Sequence, residues 1–354
     1  MALDAQYVEI LMSEEKKILV IQTAFPGDAV LTLPFIQELK KQKPDYSIDV
    51  LCIPLTAEIF EASPSINSVI PLDKKGKQKS FLSFIKFVKE LKSKNYEIIY
   101  SPHRSLRSAL IVLSLSAKES YGFENSDLKF AYKNTVKYDP ATHEVRRNLE
   151  FLNGDFSGEK WRILPEILVL PESKKNVSDY LREKKINNFI SIAPGTVWET
   201  KKYPAEYFRQ IMEYFLESGF QIILIGSAKD KVVCEALKKE DEKAVHIAAG
   251  DFSFIETIEL LKSSSLLICN DSAPMHLGMC ADIPVLTIYC STIPGFGFYP
   301  YNKYSDYVSF DELNCKPCGI HGFKSCPIGS FYCAELLFPE LVIEKAEKLI
   351  SNAG

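Results

Sequence analysis

Three stretches hold the side chains best suited to chemistry. The first is Q-T-A-F-P-G-D-A-V-L-T-L-P, residues 22–34, where a single glycine, Gly27, precedes Asp28. A carboxylate at a helix start lies near the positive end of the helix dipole, which keeps it ionised and ready to accept a proton. An aspartate there also serves as an ordinary cap. The second is I-A-P-G-T-V-W-E-T-K-K-Y-P, residues 192–204, with Gly195, Thr196, Trp198, Thr200, Lys201 and Lys202. Two ammonium groups among hydroxyls and aromatic rings suit a diphosphate whose charge grows as it departs. The third, C-N-D-S-A-P-M-H-L-G, residues 269–278, ends an apolar run in three good N-cap residues, Asn270, Asp271 and Ser272, with Pro274 in the first helical turn. Free amides at such a helix start hold an anion. Ser272 and the backbone around Ala273 would grip it, with His276 one turn in, and Gly278 and Ala281 would let the helix lie close to a sheet. A weaker fourth stretch, I-G-S-A-K-D at 225–230, offers Gly226 for close backbone approach and Ser227, Lys229 and Asp230 for a base or ribose.

Each of these stretches follows a short apolar run. Ile18–Ile21, Ser47–Ile53, Ser68–Leu72 and Glu97–Tyr100 read as strands, alternating with amphipathic helices over 29–41, 57–62, 81–92 and 105–114. The pattern weakens between Glu124 and Pro171, then resumes with strands at 189–193, 221–225, 244–247, 266–269 and 285–289. This rhythm predicts two α/β domains, 1–168 and 169–354, each a doubly wound parallel sheet covered on both faces. In such sheets ligands bind beyond the carboxyl ends of the strands, where all four stretches fall. The chain has neither a P-loop lysine motif nor G-x-G-x-x-G, which disfavours an ATPase or a dehydrogenase.

The chain has 354 residues, 46% hydrophobic and 25% charged, with a net charge of -4, the composition of a globular protein and not of a general nucleic-acid binder. No apolar run approaches the roughly 20 residues of a spanning helix. Residues 1–17, with Asp4, Glu9, Glu14 and Glu15, lack the features of a signal peptide. A cytoplasmic protein is the expectation. Cys52, Cys234, Cys269, Cys280 and Cys290 lie in or beside apolar segments and read as buried thiols.

P-G-D-A-V-L-T-L-P, P-G-T-V-W-E-T-K-K-Y-P, N-D-S-A-P-M-H-L with L-T-I-Y-C-S-T, and the C-x-x-C…C-P…C pattern near the end occur in the order found in a known family. Across nearly its whole length the chain resembles the ADP-heptose:lipopolysaccharide heptosyltransferases of glycosyltransferase family 9, most closely those that add the second heptose. The resemblance implies a GT-B fold, with an acceptor-binding first domain, a donor-binding second domain and a last helix, here 340–350, that crosses back to the first. It implies inverting transfer of L-glycero-D-manno-heptose from an ADP-sugar donor to the Kdo-lipid A inner core of lipopolysaccharide, without a cofactor or metal. The family's roles fall on Asp28 as base, on Lys201 as diphosphate ligand, and on Thr196, Asp271, Ser272, Ala273 and His276 as donor contacts. Two positions depart from the family pattern: Ala273 stands where Gly is usual, and Tyr203 where Trp is usual. A related transferase of different sugar or first-heptose specificity, a nucleotide-sugar epimerase and a sensing protein remain alternatives on the same architecture.

Basic residues gather in the first domain's loops, at Lys74, Lys75, Lys77 and Lys79, then His103, Arg104 and Arg107. Such residues are ordinary solvated surface in many proteins. An acceptor with Kdo carboxylates and lipid phosphates would make Arg104 and Arg107, directly after a strand, its contacts, and would hold the protein peripherally at the inner membrane face. Cys315, Cys318, Cys326 and Cys333, with His321 among them, have spacing that suits tetrahedral zinc, though free structural thiols are the preferred reading.

Overall fold

The computed structural model describes residues 16–239 and 243–353; Asp4, Glu9, Glu14 and Glu15 lie outside the described residues. Two parallel six-stranded sheets organise the chain. The first contains β1 (Lys17–Ile21), β2 (Ser47–Cys52), β3 (Ser68–Pro71), β4 (Ile98–Ser101), β5 (Glu119–Phe123) and β6 (Asn134–Val136), in the order β3-β2-β1-β4-β5-β6. The second contains β7 (Phe189–Ala193), β8 (Gln221–Leu224), β9 (Val245–Ile247), β10 (Leu267–Asn270), β11 (Val285–Tyr289) and β12 (Asp306–Ser309), in the order β12-β11-β10-β7-β8-β9. The doubly wound α/β prediction is therefore met twice. The strands β5, β6 and β12 go beyond it.

The central strands are buried on both faces, as their unbroken apolar runs require: Phe189–Ala193 is enclosed throughout, as is Val285–Tyr289. Helices supply the cover. In the helix Ala205–Glu217 the buried residues are Phe208, Ile211, Met212 and Phe215, a single stripe at helical spacing that meets Ile190, Ile222 and Leu224. Each such side chain contributes roughly 1.5–3 kcal/mol by leaving water. Gly278 lies so near β11 that a Cβ would meet Val285 Cγ2 at 2.4 Å, so the helix Ala273–Ala281 does press onto the sheet.

The compact units are not a single cut of the chain at 168. Among the described residues, unit 1 comprises 16–25, 35–138 and 148–154, and unit 2 comprises 26–34, 139–147, 155–239 and 243–353. Residues 155–168, assigned to the first domain from sequence, group with unit 2, where Trp161 is buried against His143 and Tyr301, with ring centroids 4.8 and 5.7 Å away. The segment 139–147 joins unit 2 through Arg147, which is fully buried, donates to Phe296 O at 2.9 Å and pairs with Glu144 at 2.6 Å. The last helix, Pro339–Ala353, is built into the second core: Val342 and Ala346 enter it, and the helix packs on Ala205–Glu217, β11 and β12.

Candidate active site

In each sheet the strand order reverses once, and the loops flanking that reversal form a crevice at the carboxyl ends. In unit 2 the reversal lies between β7 and β10. Lys201 comes from the loop after β7 and Asp271 follows β10 directly, and Lys201 Nζ meets Asp271 Oδ2 at 2.6 Å. Both are nearly buried, with side chains 12% and 10% exposed, so this is a desolvated pair and not a surface contact. Thr292 Oγ1 also donates to Asp271 Oδ2, at 2.6 Å. Asn270 holds the two loops in register: its side-chain amide donates to Pro194 O at 2.8 Å and its side-chain carbonyl accepts from Tyr203 N at 3.1 Å.

The helix Ala273–Ala281 opens at this point. The three residues expected to cap it do not: Ser272 occupies the cap position in extended conformation without a capping bond, and its hydroxyl turns toward Gly195 O and Asn270 O. Asp271 is committed to Lys201 and Thr292, and Asn270 to the backbone. The amides of the first turn therefore have no side-chain cap, and Pro274 contributes no amide there. A cation beside an uncapped helix start is an arrangement that favours an anion.

His276 is buried one turn in, and its Nδ1 has no hydrogen-bond partner. Burial, opposed by Asp271 and aided by Lys201, lowers its pKa to about 4, so the ring is neutral near pH 7. The segment 26–34, which groups with unit 2, brings Gly27 against this ring: a Cβ on Gly27 would meet Cδ2 at 2.8 Å and Nε2 at 3.1 Å. Asp28 follows directly, in the first turn of the helix Pro26–Gln42 and half-buried, with its carbonyl accepting from Thr32 Oγ1 at 2.7 Å. It is inside the helix, where it cannot act as the cap.

The other expected residues divide. Thr196 is half-buried on the loop after β7. Lys202 pairs with Glu199 at 2.6 Å, so Lys201 alone of the two lysines meets Asp271. Asp230 is engaged in a capping box, accepting from Ser227 N at 2.8 Å and Ser227 Oγ at 2.7 Å, and it packs against Gly195, where a Cβ would come within 2.1 Å of its Oδ1. The S-x-x-D signature of residues 227–230 signals this box in sequence. Reading from sequence missed Thr292 and Ser291, and placed Thr200 only among the hydroxyls beside the lysines. Thr200 N donates to Phe323 O at 3.1 Å, and its Oγ1 accepts from Phe323 N at 2.8 Å and from Ser291 Oγ at 3.0 Å, which fixes the turn that carries Lys201.

In unit 1 the reversal lies between β1 and β4. Thr23, after β1, meets His103 Nδ1 at 2.9 Å, and Lys74 donates to Thr23 Oγ1 at 2.7 Å. Burial, then Lys74 and Arg104, lowers the His103 pKa to about 4; burial, then Arg107, lowers that of Lys74. Arg104 lies over Tyr138 at 4.0 Å and Arg107 over Phe84 at 5.5 Å. Burial and neighbouring like charge thus disfavour the cationic forms of His103 and Lys74, and an anion placed here would oppose both effects. Lys74 and His103 belong to this cluster more closely than their place among ordinary surface residues suggests.

Cys315, Cys318, Cys326 and Cys333 are free thiols lining one cavity of about 260 Å³. Burial raises the Cys326 pKa, but the backbone N–H groups of Phe331, Ile328, Gly329 and Ser330 outweigh it and leave the thiol lowered. Among the described residues no group of three or more His, Cys, Asp or Glu could hold a metal ion. His321 turns toward Trp198, with ring centroids 6.3 Å apart. Cys52, Cys234, Cys269 and Cys290 are buried as expected, and Cys280 is partly exposed.

A family model described as glycosyltransferase family 9 (heptosyltransferase) matches residues 84–322. The chain is similar to lipopolysaccharide heptosyltransferase 3 of Escherichia coli (strain K12), 27% identical over 285 residues, 76% of this chain and 80% of the relative. It is similar to lipopolysaccharide heptosyltransferase 2 of Salmonella typhimurium, 23% identical over 355 residues, 96% and 99% of the two chains. Its fold is similar to the solved structure of E. coli ADP-heptose LPS heptosyltransferase II, with a TM-score of 0.77 at 19% identity over 95% of this chain and 99% of the other.

Proposed function

The chain belongs to glycosyltransferase family 9, the heptosyltransferase family, and has its GT-B fold; on that premise we propose that it transfers a heptose from ADP-heptose to the lipopolysaccharide inner core, with inversion, as the second heptose added. The observation that carries the donor half is the Lys201–Asp271 pair at 2.6 Å beside an uncapped helix start. The donor's diphosphate would take the amides around Ser272 and Ala273, with Lys201 neutralising charge as the sugar–oxygen bond breaks. Thr196 would line the same loop. Asp230 would act indirectly, by holding the 225–230 turn against Gly195.

Asp28 would take the proton of the acceptor hydroxyl while that oxygen attacks the anomeric carbon from the face opposite the diphosphate. The electron pair of the broken bond leaves on ADP, and the configuration inverts through an oxocarbenium-like transition state. No cofactor is called for, because lysine and helix amides supply the positive charge. The acceptor's Kdo carboxylates and phosphates would meet Arg104 and Arg107, together with Lys74. Working on a lipid-borne acceptor, the protein would be cytoplasmic and peripheral to the inner membrane; among the described residues no helix is long and apolar enough to cross a membrane.

Incubation with ADP-heptose and Kdo-lipid A, with and without one heptose attached, read by mass, tests this reading. A gain of one heptose only on the pre-heptosylated acceptor is expected. Gain on the bare acceptor assigns the first heptose, donor turnover without acceptor assigns an epimerase, and ADP binding without turnover assigns a sensor.

A further inference from the structure

Unit 1 carries an apolar surface that the proposed transfer does not use. The helix Phe81–Lys92 buries Phe87 and Leu91 in the core but exposes Phe81 and Leu82, at 77% and 78%, with Ile85 one turn on. Its neighbour, the helix Leu106–Leu115, exposes Leu106, Leu110 and Leu113, and the short turn packed on that helix exposes Phe130 at 72%. Single exposed apolar residues need no explanation, but apolar residues gathered on adjoining elements mark an interaction surface.

The charges beside the helix Phe81–Lys92 are predominantly positive. Residues 73–92 contain seven lysines against two acids. Of the acids, Asp73 accepts from the amides of Lys75, Gly76 and Lys77 at 3.1, 2.7 and 3.2 Å, and Glu90 faces Lys86 at 3.9 Å. Lys75, Lys77, Lys79, Lys86 and Lys89 are exposed. On the helix itself the exposed face changes from Phe81, Leu82 and Ile85 to Lys86, Lys89 and Lys92. Long lysine stems can lie along an apolar surface while their ammonium groups reach outward to phosphate.

We propose that this face, centred on Phe81, Leu82 and Ile85 and rimmed by Lys75, Lys77, Lys79 and Lys86, docks on an anionic lipid bilayer, the apolar side chains entering the headgroup boundary and the lysines meeting lipid phosphates. An amphipathic helix with aromatic and leucine residues on one side and lysines beside them is the form that lies in a membrane interface. The lipid character of the partner rests on the reading that the acceptor is lipid-borne. The face itself does not.

Vesicle co-sedimentation tests it, using phosphatidylglycerol-containing and pure phosphatidylcholine vesicles without lipopolysaccharide. Wild-type protein should bind the anionic vesicles, less so at high salt, and Phe81→Ser/Leu82→Ser/Ile85→Ser should bind about tenfold more weakly. The same variant should keep its transfer rate on a deacylated, soluble acceptor, a readout that misfolding would move. Equal vesicle binding by variant and wild type overturns the proposal, as does wild-type protein that ignores anionic vesicles. A wild-type dimer that the triple variant converts to monomer assigns the face to a second copy of the chain instead. Vesicle binding with no transfer on any acceptor keeps the docking face and removes the heptosyl-transfer reading.

Discussion

The His276 ring lies so close to Gly27 that a Cβ on Gly27 would meet it at 2.8 Å. One residue along the chain is Asp28, and one turn back along the second helix is its uncapped start. The contact thus sets the spacing between the proposed base and the proposed diphosphate site. Gly27→Ala should push the two apart by a fraction of an ångström to an ångström, a misplacement that can cost about 10²-fold in turnover. ADP affinity should change little. His276→Ala in the Gly27→Ala background should recover part of the rate, measured as kcat with saturating donor. A Gly27→Ala enzyme of normal kcat removes the contact from the mechanism.

Asp28→Asn keeps the shape of the side chain and removes the proton acceptor. Transfer should fall by about 10²–10⁴-fold, the usual worth of a general base, while calorimetric titration with ADP stays near wild type. Appreciable turnover in this variant would exclude Asp28 as base.

Much of this arrangement is legible in the order of the residues alone. The strand-end positions of Asp28, Lys201 and Asp271 follow from apolar runs bounded by polar loops, and parallel sheets direct such loops to ligands. The pairing of Lys201 with Asp271 is not legible there, since residues 70 apart meet only because β10 lies beside β7. The Gly27–His276 contact is hidden as well, because the two residues belong to distant parts of the sequence. Two edge strands escape because β6 has three residues and β12 begins with an aspartate, too little apolar pattern to register. The hold on Asp230 is legible only in part: the Ser227–Asp230 spacing signals its capping box, whereas its packing on Gly195 depends on β8 lying beside β7.

Lys201→Met should weaken ADP binding and lower turnover by about 10²–10³-fold, the range seen when one donor to a developing anion is lost. It should also destabilise the fold, by about 3–5 kcal/mol, because Asp271 is left buried without its cation. Lys201→Met/Asp271→Asn should regain much of that stability while remaining inactive. Thermal melts of the single and double variants separate the two effects; a double variant no more stable than Lys201→Met would show that the pair is not coupled.

Charge on the departing diphosphate is met by Lys201 and helix amides in the proposed mechanism, so chelator should leave initial rates within about twofold. The check is an ADP-release assay with and without EDTA. A rate that collapses with chelator and returns with a divalent cation contradicts it.

Three histidines, His143 and His276 buried and His103 partly buried, make the fold acid-sensitive. His103 and His276 are lowered to about 4 and His143 to about 3, burial being the first cause in each. In the unfolded chain each ring has a pKa of about 6.5. Between about pH 6.5 and 4 the unfolded chain therefore binds more protons than the native one, and stability must fall as pH falls, by up to ~1.4 kcal/mol per pH unit for each ring. Above about pH 7 all three are neutral in both states and contribute no slope. Carboxylates titrate mostly below pH 5, so the window from 6.5 to 5 isolates the histidines. Urea midpoints at constant ionic strength should be level between pH 8 and 7 and then decline toward pH 5, and His103→Gln should make that decline shallower. A midpoint that stays flat from pH 7 to 5 would mean that these rings are not neutral and buried in the native protein.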